Sequence, residues 1–389
     1  MDRVPFSIGV PQADLDDLRA RIRNTRWPNE LRSDGWAKGT ELAFAQDLAR
    51  HWADVYDWRT VESRLNGFEQ SLATVDGRSV HFVQCRSGRP DAVPIVLLHG
   101  WADAFTSYLG VAERLANGGD EPSFDVVVPS LPGFGFSDQP PEGQMKPTQA
   151  AEAIAAVMDG LGYHRYVVYG GDWGSVVAQE LARSHPDRII GLHLADVPFS
   201  NYFQIDREEA SDAEKAFLDD LERWGRTESG YVTIQSTKPL TLAYGLSDSP
   251  IGLAAWILEH FHRYSDTLPS KDDLVTTVMT YWVGNTIRSS IRLYGEWEDS
   301  DWSDASEATD GSASWEAGAD AAEWGARIDV PTAIAQFPRD LASPPRELAE
   351  RFFDVRRFTR MERGGHFAAL EVPDLLAAEI RAFIAELGS

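Results

Sequence analysis

One glycine-rich turn, residues 170–174, contains the residue best suited to covalent chemistry, Asp172. An apolar run at 166–169 leads into the turn, and a helical pattern over 175–183 follows it. A strand, tight turn and helix in this order form a nucleophile elbow, whose small neighbours let the central residue stand at the tip of the turn. An aspartate there is ionised at neutral pH, so it can attack a strained or activated sp3 carbon without a base and form an alkyl ester. Taken alone, the same residues would also make an ordinary turn with a helix-capping aspartate.

The segment His99-Gly100-Trp101 is a second candidate part of a site. It ends the apolar run 94–98, and ligands of open α/β sheets bind at the carboxyl ends of the strands. We therefore predict that His99 and Gly100 contact substrate. The backbone N–H groups of Trp101 and of Trp173, the residue after the nucleophile, are predicted to form an oxyanion hole.

Two further candidates lie near the end of the chain. Asp340 follows a predicted strand at 331–337, and His366 follows a pair of glycines. The chain order nucleophile, acid, histidine is that of the α/β-hydrolases, in which the acid orients the histidine. The sequence therefore predicts a triad of Asp172, Asp340 and His366.

The elements that must position these residues alternate between strands and helices. Continuous apolar runs such as 94–98 are typical of strands buried on both faces of a parallel sheet. The predicted strands are 94–98, 124–128, 166–169, 189–194, 331–337 and 355–361, and the helices between and after them are 107–115, 149–161, 175–183 and 373–387. This order predicts an α/β fold, the α/β-hydrolase fold, with a mostly parallel, doubly wound sheet.

The chain divides into four predicted segments. Residues 1–70 form an N-terminal helical preface packing on the core, with a short strand at 6–10. Residues 71–198 are the first part of the α/β-hydrolase core, beginning with a hairpin turned at Asp76-Gly77. Residues 199–328 read as an inserted, mainly helical cap with an acidic insert at 296–323, and residues 329–389 complete the core.

Composition limits the classes of function. The net charge of -25 over 389 residues repels nucleic acid and anionic membrane, so neither is predicted as a partner. Cys85 is the only cysteine, which excludes an intrachain disulfide and a cysteine-based metal site. No leader pattern and no run of about 18 apolar residues is present, so we expect a cytoplasmic protein. Abundant alanine, and arginine well above lysine, favour a bacterial source.

With these residues in place, the sequence resembles epoxide hydrolases of the microsomal type, in the α/β-hydrolase superfamily, over nearly its whole length. Two of the matching segments lie in the preface, two in the core and two in the cap. They are Thr25–Pro28 with Tyr56–Arg59, Pro132–Ser137 with Gly364–Ala369, and Glu228–Pro239 with Tyr281–Tyr294. One departure is Ala102, where the family usually has a proline, often in a cis peptide.

The resemblance implies an enzyme that opens an epoxide with water and needs no cofactor or metal. In the family two cap phenols hydrogen-bond the epoxide oxygen, and the matching positions here are Tyr231 and Tyr294. A phenol suits this task because it can donate to an oxygen that becomes an alkoxide. By the same resemblance, Asp172 is the nucleophile, His366 the base and Asp340 its acid partner. The expected partners are a small-molecule epoxide and water, and the sequence leaves open whether the chain forms a homodimer.

Two rival functions remain at this stage. A haloalkane dehalogenase also uses Asp followed by Trp at the elbow, and a non-catalytic receptor could keep the same fold. The paired cap tyrosines argue against the first rival, and the full set of triad residues argues against the second. His260 and His262 are a poor metal pair, because residues two apart lie on different faces of a helix.

Overall fold

The computed structural model describes residues 1–29, 35–117, 119, 122–139, 146–296 and 326–388. The predicted acidic insert at 296–323, apart from its first residue, lies outside these ranges. The described strands form one nine-stranded sheet in the order β1-β2-β3-β5-β4-β6-β7-β8-β9. Their bounds are β1 Asp2–Pro5, β2 Glu69–Val75, β3 Arg78–Cys85, β4 Val93–Leu98, β5 Phe124–Pro129, β6 Tyr166–Gly170, β7 Ile189–Leu194, β8 Ile328–Gln336 and β9 Phe353–Arg360.

The sheet is parallel from β5 to β9 and antiparallel at its N-terminal edge. β1 pairs with β2, β2 with β3 and β3 with β5 in antiparallel register, and all other neighbours are parallel. The predicted α/β, mostly parallel sheet is therefore confirmed. The strand predicted at 6–10 is wrong, since the first strand is Asp2–Pro5, whose residues are all exposed at the sheet edge.

Helices cover the sheet and fill the segment between β7 and β8. Before β7 they are α1 Gln12–Arg23, α2 Leu42–Asp54, α3 Trp58–Leu65, α4 Phe105–Asn117, α5 Pro147–Gly160 and α6 Trp173–Ser184. Between β7 and β8 they are α7 Asp212–Thr227, α8 Gly230–Thr237, α9 Pro239–Asp248, α10 Pro250–Tyr264, α11 Lys271–Gly284 and α12 Ile287–Glu296. The last three are α13 Arg346–Phe352, α14 Ala368–Glu371 and α15 Pro373–Gly388. In the part of the chain that is described, no helix is both long and apolar enough to cross a bilayer.

The preface contacts the helices between β7 and β8 as well as the sheet. Helices α1 and α2 pack on α10, and α2 also packs on α11, while β1 extends the sheet through β2. The Tyr56 hydroxyl lies 3.0 Å from the Thr276 hydroxyl, and Nε2 of His51 lies 2.7 Å from Oδ1 of Asp272. The first segment thus ties the predicted cap to the core rather than resting on the core alone.

Candidate active site

The turn after β6 projects Asp172 from a strained backbone. Asp172 has φ of 55° and ψ of -129°, a conformation that residues with a side chain seldom adopt. Glycines on both sides make the bend feasible. A Cβ atom at Gly170 would lie 2.2 Å from the carbonyl oxygen of Gly174, and one at Gly174 would lie 2.3 Å from that of Leu98. The turn therefore packs directly against the end of β4, which brings the His99 segment to the nucleophile.

The three predicted triad residues meet at the carboxyl edge of the sheet. Asp340 follows β8 and His366 follows β9, so parallel neighbours bring both to the same edge as Asp172. Nδ1 of His366 lies 2.7 Å from Oδ1 of Asp340, and Nε2 lies 3.6 Å from Oδ2 of Asp172. The imidazole thus spans the space between the two carboxylates, with its side chain only 10% exposed.

The charge state of His366 follows from these neighbours. Burial alone lowers the pKa of an imidazole, but the charge of Asp340, and the hydrogen bond and charge of Asp172, raise the pKa of His366 well above its usual value. These neighbours therefore favour the protonated form of His366, which faces the carboxylate of Asp172. Its backbone N–H also donates to the carbonyl oxygen of Tyr264 in α10, at 2.8 Å.

A carboxylate from α14 holds the loop that carries His366. Glu371 accepts the backbone N–H of Gly365 at 3.1 Å, that of Asp266 at 2.7 Å and that of Thr267 at 3.1 Å. The last two residues belong to the loop between α10 and α11. One side chain thus joins the loop of the histidine to the segment predicted as the cap.

The His99 segment supplies one N–H group to the nucleophile. The N–H of Trp101 donates to Oδ1 of Asp172 at 2.7 Å. The peptide between Trp101 and Ala102 is cis, although no proline is present. Gly100 lies directly on the nucleophile, since a Cβ atom there would be 2.2 Å from Oδ1 of Asp172.

His99 has a different role from the one predicted. It is fully buried, its Nε2 accepts the backbone N–H of Leu131 at 3.1 Å, and its Nδ1–H donates to the carbonyl oxygen of Gly100 at 3.0 Å. Both ring nitrogens are thus used by the fold, and burial lowers the pKa of His99 to about 4, which keeps the ring neutral. His99 supports the loop from behind and offers no polar atom to a substrate.

The two cap tyrosines lie above the nucleophile around the indole of Trp101. Tyr231 in α8 stacks on that indole at 5.7 Å and 14°, and Tyr294 in α12 meets it edge-on at 5.7 Å. The two phenol rings are 5.9 Å apart. Burial, together with the charge of Asp172, raises the pKa of both hydroxyls well above the usual value. Both therefore stay protonated and able to donate a hydrogen bond.

A further acid, Asp196, was missed. It lies just past the end of β7, and its Oδ1 accepts the backbone N–H of Asp172 at 3.2 Å. Burial and the charge of Asp340 raise the pKa of Asp196 to about 8, so it is largely a neutral carboxylic acid beside the triad. The signal was present in the sequence, since an acid following a parallel strand reaches the same edge of the sheet.

The residues that the structure describes place no group of three or more histidine, cysteine, aspartate or glutamate side chains where they could hold a metal ion. The arrangement that they do form is a carboxylate paired with an imidazole, next to an N–H donor and beneath two phenols. These are the parts needed to form an ester on a carboxylate and to hydrolyse it.

Fold and site together define an α/β-hydrolase. The family model described as "Epoxide hydrolase N terminus" matches residues 3–108, and the model described as "alpha/beta hydrolase fold" matches residues 93–236. Epoxide hydrolase 1 of Sus scrofa is 31% identical to this chain, over 98% of this chain and 88% of its own length. A relative from Stigmatella aurantiaca (strain DW4/3-1) is 36% identical, over 97% of this chain and 83% of its own length. The chain belongs to the epoxide hydrolase family.

Solved structures agree with this assignment. The juvenile hormone epoxide hydrolase of the silkworm Bombyx mori has a TM-score of 0.88 and 26% identity, covering 100% of this chain and 95% of its own. The Aspergillus niger epoxide hydrolase has a TM-score of 0.84 and 28% identity, covering 100% of this chain and 97% of its own. The likeness thus extends over the preface and the cap as well as the core.

Proposed function

We propose that this chain converts an epoxide to a vicinal diol through a covalent ester on Asp172. The supporting observation is that the two oxygens of the Asp172 carboxylate have different neighbours. Oδ1 accepts the Trp101 N–H at 2.7 Å, whereas Oδ2 faces Nε2 of His366 at 3.6 Å. Oδ2 is thus placed to act as the nucleophile. Once the ester has formed, Oδ1 becomes the oxyanion when water attacks the acyl carbon, and the Trp101 N–H already donates to it.

In the first step a carboxylate oxygen of Asp172 attacks one carbon of the oxirane ring. The carbon–oxygen bond breaks, and the departing oxygen accepts hydrogen bonds from Tyr231 and Tyr294 and takes a proton from one of these phenols, which becomes a phenolate. The phenols favour this step because a donor aimed at developing negative charge stabilises the transition state more than the ground state. The product is a hydroxyalkyl ester of Asp172.

Ester formation also prepares the base. The charge of Asp172 is one of the causes that raise the pKa of His366. Once that charge is lost in the ester, the pKa of His366 falls, and the histidine releases the proton that restores the phenol. Neutral Nε2 then takes a proton from water while the water oxygen attacks the carbonyl carbon of Asp172. The N–H groups of Trp101 and Trp173 stabilise the tetrahedral oxyanion, and Asp340 stabilises the imidazolium. Collapse of the intermediate breaks the bond from the acyl carbon to the alkyl oxygen, which takes the proton of the new acid and leaves as the diol, so that the Asp172 carboxylate is restored.

The two steps can be separated by removing the base. His366→Gln should still form the ester but should not hydrolyse it, because Asp172 attacks without a base whereas water does not. Intact-mass measurement after mixing with styrene oxide should show a protein heavier by one whole epoxide, and peptide mapping should place that mass on Asp172. Asp340→Asn should accumulate the same adduct and lose it slowly, since its histidine is present but poorly oriented.

Two variants serve as controls. Asp172→Asn should give no adduct at first, and His262→Gln, which alters an exposed histidine stacked on Trp36, should turn over like the wild type. If the His366 variant gives no adduct with a substrate that the wild type consumes, or carries it on another residue, direct attack by water is the better mechanism.

A further inference from the structure

One histidine of the cap has no role in the steps above. His260 lies in α10, is only 8% exposed, and meets the rings of both Tyr231 and Trp101 nearly at right angles, at 4.3 and 5.0 Å. It therefore lies between a phenol that donates to the substrate oxygen and the tryptophan whose N–H holds the nucleophile.

The hydrogen bonds of His260 determine its tautomer. Nδ1 lies 3.1 Å from the carbonyl oxygen of Trp256, and because a carbonyl can only accept, Nδ1 must carry the proton. Nε2 is then an unprotonated acceptor. Burial lowers the pKa of His260 to about 4, so the ring keeps this neutral form at neutral pH. Within the described ranges, no residue donates a hydrogen bond to Nε2.

A donor without a partner belongs to the neighbouring ring of Trp101, whose centroid lies 5.0 Å from that of His260. The indole Nε1–H of Trp101 is buried, and among the residues that the structure describes none accepts its proton. Buried polar groups in proteins are nearly always hydrogen-bonded, so this unpaired N–H, on a ring 5.0 Å from that of His260, indicates a ligand that satisfies it. An alcohol hydroxyl fits both this N–H and Nε2 of His260, because it accepts one hydrogen bond and donates another.

We propose that His260 determines substrate specificity: its Nε2, with the indole N–H of Trp101, binds a hydroxyl group carried on the carbon next to the oxirane ring. The preferred substrates are then 2,3-epoxy alcohols rather than epoxides of the same skeleton that carry only hydrocarbon. The inference rests on the proposed function, because it concerns which epoxide the same site takes.

The test uses two epoxides that differ in one hydroxyl, trans-3-phenylglycidol and trans-β-methylstyrene oxide. The ratio of kcat/KM for the alcohol to kcat/KM for the hydrocarbon is measured for each variant, so that the intrinsic reactivities of the two rings cancel between variants. His260→Phe keeps an aromatic ring but loses the acceptor, and its ratio should fall about three- to tenfold below that of the wild type, as for one lost hydrogen bond. His260→Gln, whose amide oxygen replaces Nε2, should keep part of the preference.

The matched control is His262→Phe, which preserves the stacking of that residue on Trp36 and should leave the ratio unchanged. His260→Leu replaces the Phe variant if the latter does not fold. An unchanged ratio in the folded His260→Phe or His260→Leu protein overturns the inference while leaving the proposed function intact. An equal fall in the His262 control also overturns it, since the effect would not belong to the site. If the wild type opens neither epoxide, the proposed function fails and the inference fails with it.

Discussion

The cap phenols can be tested by removing one hydroxyl at a time. Tyr294→Phe keeps the ring that packs edge-on against Trp101 at 5.7 Å and Trp173 at 5.2 Å, so the fold should survive. Loss of one donor to a developing oxyanion costs about 2.7 to 4 kcal/mol, or roughly 10² to 10³ in rate. Because Tyr294 is only 8% exposed and Tyr231 is more open, we expect the loss for Tyr294 near the upper figure and that for Tyr231 near the lower one.

The double variant should lose less than the product of the two single effects. The phenol rings are 5.9 Å apart and the hydroxyls interact with each other, so the remaining phenol can adjust when its neighbour is lost. We expect a loss on the order of 10⁴ in the rate of ester formation. The rate of ester hydrolysis should change little, because the phenols act on the first step.

Single-turnover stopped-flow fluorescence measures the two rates, since Trp101 and Trp173 flank the nucleophile and report its alkylation. Tyr244→Phe in the same cap is the control, because this tyrosine is 73% exposed and should be silent. Wild-type rates of ester formation in a folded double variant would assign both phenols to structure. A loss of rate confined to ester hydrolysis would refute the assignment of the phenols to ester formation and of the histidine to ester hydrolysis.

Three further outcomes are expected. Gly100→Ala should lower kcat/KM by about 10² with the fold kept, because its Cβ would lie 2.2 Å from Oδ1 of Asp172 and displace it; an active, folded variant would contradict the geometry. Dialysis against a strong chelator should leave diol formation unchanged, and its loss with recovery on added zinc would contradict a carboxylate nucleophile. Thermal melts should show stability falling from about pH 7 to about pH 4: burial lowers the pKa of His81 to about 3 and of His193 to about 4, so the unfolded chain takes up protons first. Asp196 acts in the opposite sense, because burial raises its pKa to about 8 in the folded protein, which therefore takes up this proton before the unfolded chain does and gains stability as pH falls. The contribution of His366 is lost only as pH rises through its raised pKa, so a melting temperature that increased towards acid would show that Asp196 outweighs the buried histidines.

The parts of the fold that follow from local pattern were predictable, and the others depend on tertiary contacts. The apolar parallel strands and the elbow were found because each carries its own signal over a few residues. The edge strand was misplaced because Asp2–Pro5 is wholly exposed and shows no alternation, whereas Ile8 is buried without being part of a strand.

The site shows the same division. Two features could be recognised in the sequence: the chain order of nucleophile, acid and histidine, and the resemblance of the cap tyrosines to those of the family. The structure brings those side chains together. The position of His260 was not predicted, because its importance lies in what surrounds it after folding, whereas Asp196 was missed although it follows the predicted strand at 189–194. His99 was assigned to the substrate because the sequence does not reveal that both of its nitrogens bond to the backbone.

The bonds of Glu371 and His366 to the end of α10 and the residues after it connect the loop of the histidine to the segment predicted as the cap. The His366 N–H holds the Tyr264 carbonyl, and Glu371 holds the N–H groups of Asp266 and Thr267. Because the same bonds end on the loop that carries His366, a shift at this end of α10 would also move the imidazole relative to Asp172. The position of this imidazole is therefore set by the segment predicted as the cap as well as by the sheet.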